Sequence, residues 1–479
     1  MEKKKKKLKM PSTYGTLLGF IILVAVLSWI IPGGTYQYVD PLADKLQPIA
    51  GSYQVAQAHP QGILDVLQAP INGFLDSVDI ILYTIVIGGF MSVVTRTGAI
   101  NAGIGRIIEK LDGKDQLMIP IIMAIFAICG GTFGLEEETL PFFPVVIPIF
   151  LAAGYDAIVA IAVVKIGAAI GTMGSLANPF AVAIGCKFAD ISMGDGILVR
   201  LMILAIGIPL GIIFVMRYAA MVKKDPTRSL VYDLSEAINN KYLGGNNSEE
   251  NKLPEFTKQR KAILIMFALT FVVMLWGIIP FADLGITFIP TLGWWFGELS
   301  TLYFTSSLIM AIYLRYSEDK YITDFMDGAR DLLEVAIVIG VARGITVVMN
   351  NALITDTILH AGEVALSSVP STVFSAATYI FYLLMSIVIP SSSGLATLTM
   401  GIMAPLADFA GVGRHIIVIG FAAANAIVGI VAPTCGLLMG VLAMCKIPLS
   451  SWLKFIWKLI ALIIIMTIAI LSFATMIGL

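Results

Sequence analysis

Charge is scarce in this chain: 13% of its 479 residues are Asp, Glu, Lys or Arg, where a soluble domain carries about 25%. Histidine is scarcer still, with His59, His360 and His415 each standing alone. Four cysteines, Cys129, Cys186, Cys435 and Cys445, are scattered with no C-x-x-C spacing and no histidine beside them. These shortages argue against disulfides, a metal site and histidine-based catalysis. No nucleophile–base pairing or phosphate loop is legible either, so the chain does not read as an enzyme.

What takes the place of charge is hydrocarbon. The chain is 58% hydrophobic with a mean hydropathy of +0.90, and about nine of its apolar runs reach the roughly 18 residues that cross a bilayer. The composition therefore predicts an all-α polytopic membrane protein. A lysine run, Lys3 to Lys7, precedes the first apolar stretch, residues 17–31, which lacks a small-x-small cleavage pattern. The stretch reads as a retained span whose N-terminus is cytoplasmic. From there to about Asp79 the chain carries Asp40, Asp44, Asp65, Asp76 and Asp79 against Lys45 alone, as an outer loop would. A second span, about 80–95, returns to Arg96, Arg106, Lys110 and Lys114 on the basic, inner side.

The longest polar stretch, 217–261, reads as a cytoplasmic linker, including Lys252, between a first repeat, 1–216, and a second, 262–479. Asn246 opens an N-x-S match there, which on the cytoplasmic side is a chance occurrence. Lys187, Arg200 and Arg414 fall on the side read as outer and run against this topology.

Within the first repeat, "GTFGLEEETLPFFP" places Glu136, Glu137 and Glu138 between apolar arms, 117–130 and 141–153. Arms of about 13 or 14 residues are too short to span, which predicts a re-entrant hairpin over about 117–153, entering from the cytoplasm with its tip lining a cavity. A helix over about 156–187 follows, broken at Gly174, Ser175, Asn178 and Pro179. The second half echoes this grammar. "TIVIGG" returns as "AIVIGV", "TFGLEEET" as "PSSSGLAT" and "GSLANPFAVAIG" as "VAPTCGLLMGVL". Charge places the span over 333–350 in the opposite direction to its partner, so the second hairpin, about 372–410, enters from outside, followed by a second broken helix, about 414–444, and a last span, about 455–477. Inverted repeats with broken helices are a signature of secondary transporters, not of channels.

Three ionised, inert carboxylates in a bilayer would cost about 8–10 kcal/mol, so the glutamates must be hydrated, protonated or paired with a cation. Successive residues of a helical tip point about 100° apart, so one or two of the three face a ligand. A guanidinium or ammonium suits them. Ser391, Ser392, Ser393 and Gly394, as a helix start, offer hydroxyls and free amides to a carboxylate. Ser175, Asn178 and Thr434 at the two breaks complete the polar lining. Arg343, near mid-span, needs an acid, either a substrate carboxylate or a protein acid such as one of the glutamates. The protein pairing is favoured, because a free guanidinium would repel a cationic substrate. Lys165 raises the same problem, and its stem reaches toward the cytoplasm. Asn350, Asn351 and Asn425 read as interhelical hydrogen-bonding groups.

The stretches "GTFGLEEETLPFFPVVIPI", "GSLANPFAVAIG", "VARGITVVMNN" and "IPSSSGLATLTMGIMAPL" together resemble the YfcC/ArcD-type basic amino acid antiporters, a family grouped with the anaerobic C4-dicarboxylate carriers in the ion transporter superfamily. The resemblance runs over nearly the full length. It implies a secondary transporter of the bacterial inner membrane, a homodimer in which a mobile transport domain moves elevator-fashion against a scaffold, exchanging arginine for ornithine. It implies a small-molecule substrate, lipid surroundings, no nucleic acid, and no cofactor beyond a coupling sodium ion or proton. Leu176 departs from the family pattern, which carries a small polar residue there, often Thr. The alternative is sodium- or proton-coupled uptake of a C4-dicarboxylate or another carboxylate, with the glutamates on the coupling ion and Arg343, Lys165 and the serine tip on the anion.

Overall fold

The computed structural model describes residues 13–39, 48–49, 51–100, 102–103, 115–176, 178–243, 256–278, 281 and 288–479. The lysine run, Asp40, Asp44, Lys45, Arg106, Lys110, Lys114, Asn246 and Lys252 lie outside them.

Helices make up 78% of the described chain. In order they are α1 (Thr13–Leu27), α2 (Ile63–Asp76), α3 (Val78–Arg96), α4 (Met118–Phe133), α5 (Phe143–Ala152), α6 (Ala157–Gly174), α7 (Ile184–Ala189) and α8 (Ile197–Lys224). After these come α9 (Ser235–Leu243), α10 (Lys258–Ile278), α11 (Phe296–Tyr313), α12 (Glu318–Asn351) and α13 (Ile354–Ser367). The chain closes with α14 (Ser371–Val388), α15 (Ser392–Phe409), α16 (Arg414–Val428), α17 (Gly436–Met444) and α18 (Leu449–Ile477). One two-stranded ribbon, β1 (Gly34–Thr35) against β2 (Gln54–Val55), interrupts them. Among the described residues, 6 helices are long and apolar enough to cross a membrane. The protein is a multi-pass membrane protein.

Two packed groups of helices follow from the sequence. In α6, "AIVAIAVVKIGAAIGTMG" is apolar on every face but for Lys165 and Thr172, and all of its residues are buried, as such a helix requires. Small residues let its backbone approach α4: a Cβ on Gly171 would sit 2.0 Å from the Ala127 carbonyl oxygen. Helices α8 and α16 also lie on α6, and α14, α16 and α18 pack together beside it. The second group centres on α12, against which α1, α2 and α3 pack, with α11 beside α3. There a Cβ on Gly328 would meet the Gly88 carbonyl at 2.1 Å. The groups meet where α12 touches α17.

Several sequence expectations change. The supposed outer loop before Asp79 contains α2, whose C-terminus is Asp76. Its small residues Ala69 and Gly73 pack on Gly340 and Gly344 of α12, while Leu64, Leu67, Ile71 and Leu75 face outward. The first hairpin arm is longer than its apolar core: with the 3-10 turn Asp115–Leu117 in front, the stretch Asp115–Thr132 is 18 residues and long enough to cross. The helix recruits polar and glycine residues at its ends that an apolar count leaves out, so shortness does not exclude a crossing there. The second arm, α5, has 10 residues. The linker begins inside α8, and α9 is docked rather than loose, with Lys241 Nζ donating to the Met444 carbonyl at 3.0 Å.

Two of the three basic residues that run against the topology, Arg200 and Arg414, have local partners. Arg200 is fully buried and donates to the carbonyls of Met193 (2.8 Å) and Asp195 (2.7 Å). Arg414 pairs with Asp408 at 2.6 Å and donates to the Ala189 carbonyl at 2.7 Å. Both tie neighbouring segments together.

Candidate functional site

A cavity of about 490 Å³ opens between the two helix groups. From the first hairpin come Glu136 and Glu137; the side chain of Glu138 lies outside the described residues. Helix α4 ends at Gly134 with φ +70°, and a Cβ there would stand 2.6 Å from Asn178 Oδ1. Only glycine allows this left-handed turn to press the acidic tip against the first break. The Thr139 hydroxyl donates to the Glu136 carbonyl at 2.6 Å and fixes the tip.

At the first break α6 stops at Ser175, which has φ +39°. Ser175 is fully buried and its hydroxyl donates back to the Thr172 carbonyl, so it caps its own helix instead of lining the cavity. Asn178 does line it, and its Oδ1 accepts from the amides of Phe180 (2.9 Å) and Ala181 (3.1 Å). Those two bonds start the π-helical turn Pro179–Ala183 that leads into α7. Lys165 is 4% exposed, within electrostatic reach of Glu136, and set behind the cavity wall. It does not reach toward water, because α6 is enclosed on every side and its stem has no path out.

The second hairpin contributes Ser391, Ser392 and Ser393. Helix α15 begins at Ser392, two residues before the expected start, and the Gly394 amide donates to Ser391 Oγ at 3.3 Å. Gly394 therefore offers no free amide and does not line the cavity. Asn425 Nδ2 donates to the Pro390 carbonyl at 3.3 Å, tying α16 to this tip. Thr434, in the second break, lines the cavity and is 5% exposed; its Oγ1 has no hydrogen-bond partner among the described residues.

Arg343 also faces the cavity, but its acid is Asp76, to which Nε donates, and not a glutamate. Asp76, at the end of α2, and Asp79, at the start of α3, are lining residues that sequence reading assigned to a loop. Their signal was two acids within one turn at the onset of an apolar run. Also missed was an aromatic corner, Phe180 against Trp295 (centroids 5.1 Å apart) and Trp295 against Phe296 (4.9 Å). Among the described residues the wall thus sets four carboxylates, Asp76, Asp79, Glu136 and Glu137, against one guanidinium.

The chain is similar to several known proteins. A protein of Haemophilus influenzae with no assigned function is 32% identical over 97% of this chain and 96% of its own. The Escherichia coli protein YfcC, provisionally named a basic amino acid antiporter, is 28% identical over 98% and 97%. Among solved structures, the YdaH transporter of Alcanivorax borkumensis is similar with a TM-score of 0.41 at 12% identity, covering 98% of this chain and 99% of that one. MtrF of Neisseria gonorrhoeae is similar with a TM-score of 0.41 at 15% identity, covering 97% and 95%. The model of the DcuC family, the C4-dicarboxylate anaerobic carriers, matches residues 10–476. The chain is a membrane transporter and belongs to the C4-dicarboxylate anaerobic carrier family.

Proposed function

We propose that the protein is a secondary active transporter of the inner membrane that exchanges basic amino acids, arginine inward for ornithine outward. The observation that carries this reading is the charge of the cavity: among the described residues four carboxylates face one guanidinium that is already tied to Asp76. A field of that sign attracts a cationic ligand and repels a bare anion. Glu136 and Glu137 take the side-chain cation, and Asn178, Ser392 and Thr434 supply the polar lining. Helix–tip–helix units at α4–α5 and α14–α15, with breaks after α6 and α16, are read as re-entrant hairpins and broken helices of inverted repeats. In this reading the group around α6 and α16 slides as one body against the group around α12, in each protomer of a homodimer whose N-termini are cytoplasmic.

A second reading is favoured by one observation, the buried Lys165 behind Glu136. It neutralises part of the acidic tip, which suits coupling-ion binding there and uptake of a C4-dicarboxylate or another carboxylate elsewhere in the cavity. The name of YfcC supports the first reading, and the family description supports the second.

Counterflow in proteoliposomes separates them. Labelled arginine should enter vesicles loaded with ornithine without any sodium or proton gradient. Gradient-dependent dicarboxylate uptake with no arginine entry would replace the first reading with the second.

A further inference from the structure

The exchange reading names no charged group for the substrate's carboxylate: Ser391 Oγ accepts from the Gly394 amide, and the serine tip offers only neutral hydroxyls. Two groups elsewhere in the cavity have donors to give. Among the described residues Arg343 is bound only through Nε, by Asp76, and its side chain is 34% exposed. A guanidinium has five N–H donors in a fixed fork, so a bond at Nε orients the plane and leaves the Nη1–Nη2 edge for a second acceptor. The other donor is the unpartnered hydroxyl of Thr434.

Helix register brings the two together. Helix α17 lies on α12 with Gly440 against Val335 and Gly436 against Ile339, an antiparallel step of four residues on each helix. Arg343 lies one helical turn beyond Ile339 and Thr434 two residues before Gly436, and both line the same cavity. A buried hydroxyl without a partner is costly, and a ligand oxygen accepted from both groups would satisfy it.

We infer that Arg343, oriented by Asp76, and Thr434 form a subsite for the carboxylate of the transported amino acid, so that the protein selects α-amino acids over the corresponding amines. This rests on the exchange reading. Asp79 takes the α-ammonium, which explains why a guanidinium that receives an anion stands among acids: the ligand brings a cation for them. A dicarboxylate would meet Asp76 and Asp79 with nothing to offer.

The test uses ornithine-loaded proteoliposomes of the full chain, with labelled arginine and, as competitor, agmatine, which is arginine without its carboxyl group. Agmatine should compete at least about tenfold more weakly than unlabelled arginine, since a site built around a polar group rejects the analogue lacking it. Arg343→Lys keeps the charge and removes the fork, and should weaken arginine by about tenfold while leaving agmatine unchanged. Thr434→Val removes only a hydroxyl from a buried position, so it keeps the test open if the arginine variant does not fold. It should lower the arginine-to-agmatine preference by about 3- to 10-fold. Equal competition by agmatine, or variants that weaken both ligands alike, would overturn the subsite while exchange stands. Absence of arginine exchange in the wild-type chain would overturn the exchange reading and this inference with it.

Discussion

The two helix–tip–helix units, each with the helix break that follows it in the chain, make the same kind of structure with opposite chemistry. The first presents Glu136 and Glu137, and its break is closed by Asn178, whose oxygen accepts two amides. The second presents three serines, and its break leaves Thr434 Oγ1 unpartnered. Backbone form is thus repeated while polar content is not. The first set of groups carries charge and has its local hydrogen bonds made; the second is neutral and carries hydroxyls. A two-ended ligand suits that difference better than a symmetric one.

The contrast breaks most severely at the acidic tip. Glu136→Gln or Glu137→Gln should lower exchange at least about 100-fold in one of the two cases, the scale expected for losing a charge-assisted contact to a cation, with expression unchanged. Counterflow with each variant measures it, and full activity in both would remove the carboxylates from binding. Next in size is Gly134→Ala. The left-handed turn costs a residue with a side chain about 1–2 kcal/mol, and the added Cβ would collide with Asn178 Oδ1. Thermal unfolding in detergent should show the loss, together with weaker arginine affinity from a displaced tip. Asn178→Ala should cost about 1 kcal/mol through the lost cap and weaken arginine by about tenfold through lost lining. Ser392→Ala, on the other side, should change affinity by no more than about threefold, because neighbouring hydroxyls remain. If the serine change outweighed the asparagine change, the assignment of charge and hydroxyl ends would be reversed.

Much of this site was legible because the bilayer makes polar residues conspicuous. Glutamates, serines and a lone arginine inside apolar runs stand out against a solvent that penalises them, and Glu136, Glu137, Asn178, Ser391, Ser392, Ser393, Thr434 and Arg343 all line one cavity. What sequence could not give was direction. Ser175 and Gly394 sit in the same motifs but satisfy their own helix ends, a matter of dihedral angles and not of residue type. Asp76 and Asp79 were hidden because α2 is too short and too polar to read as a span, and an acid at a helix end looks like an acid in a loop. The partner of Arg343 needed the packing of α2 on α12, a contact between residues 267 positions apart.

The comparison extends to the joints that follow each hairpin, where pH should act with opposite sign. Asp156, one residue outside α6, is buried and accepts from Tyr218 (2.7 Å), Ser229 (2.6 Å) and the Val159 amide (2.9 Å). Burial outweighs these bonds and raises its carboxyl above the ordinary 3.8. Asp408, at the exposed end of α15, is held below 3.8 by hydrogen bonding to Arg414. The contribution of Asp408 is therefore complete above pH 3.8 and disappears as pH falls through its lowered value. That of Asp156 is complete below 3.8 and disappears as pH rises through its raised value. Melting curves of Asp156→Asn and Asp408→Asn against wild type, taken from neutral pH downward, should show the first gap widening and the second closing. The Asp408 change is the smaller, since an exposed pair contributes little. Parallel trends in the two variants would mean that the joints are not distinguished by burial, and that the asymmetry of the two halves ends at the cavity wall.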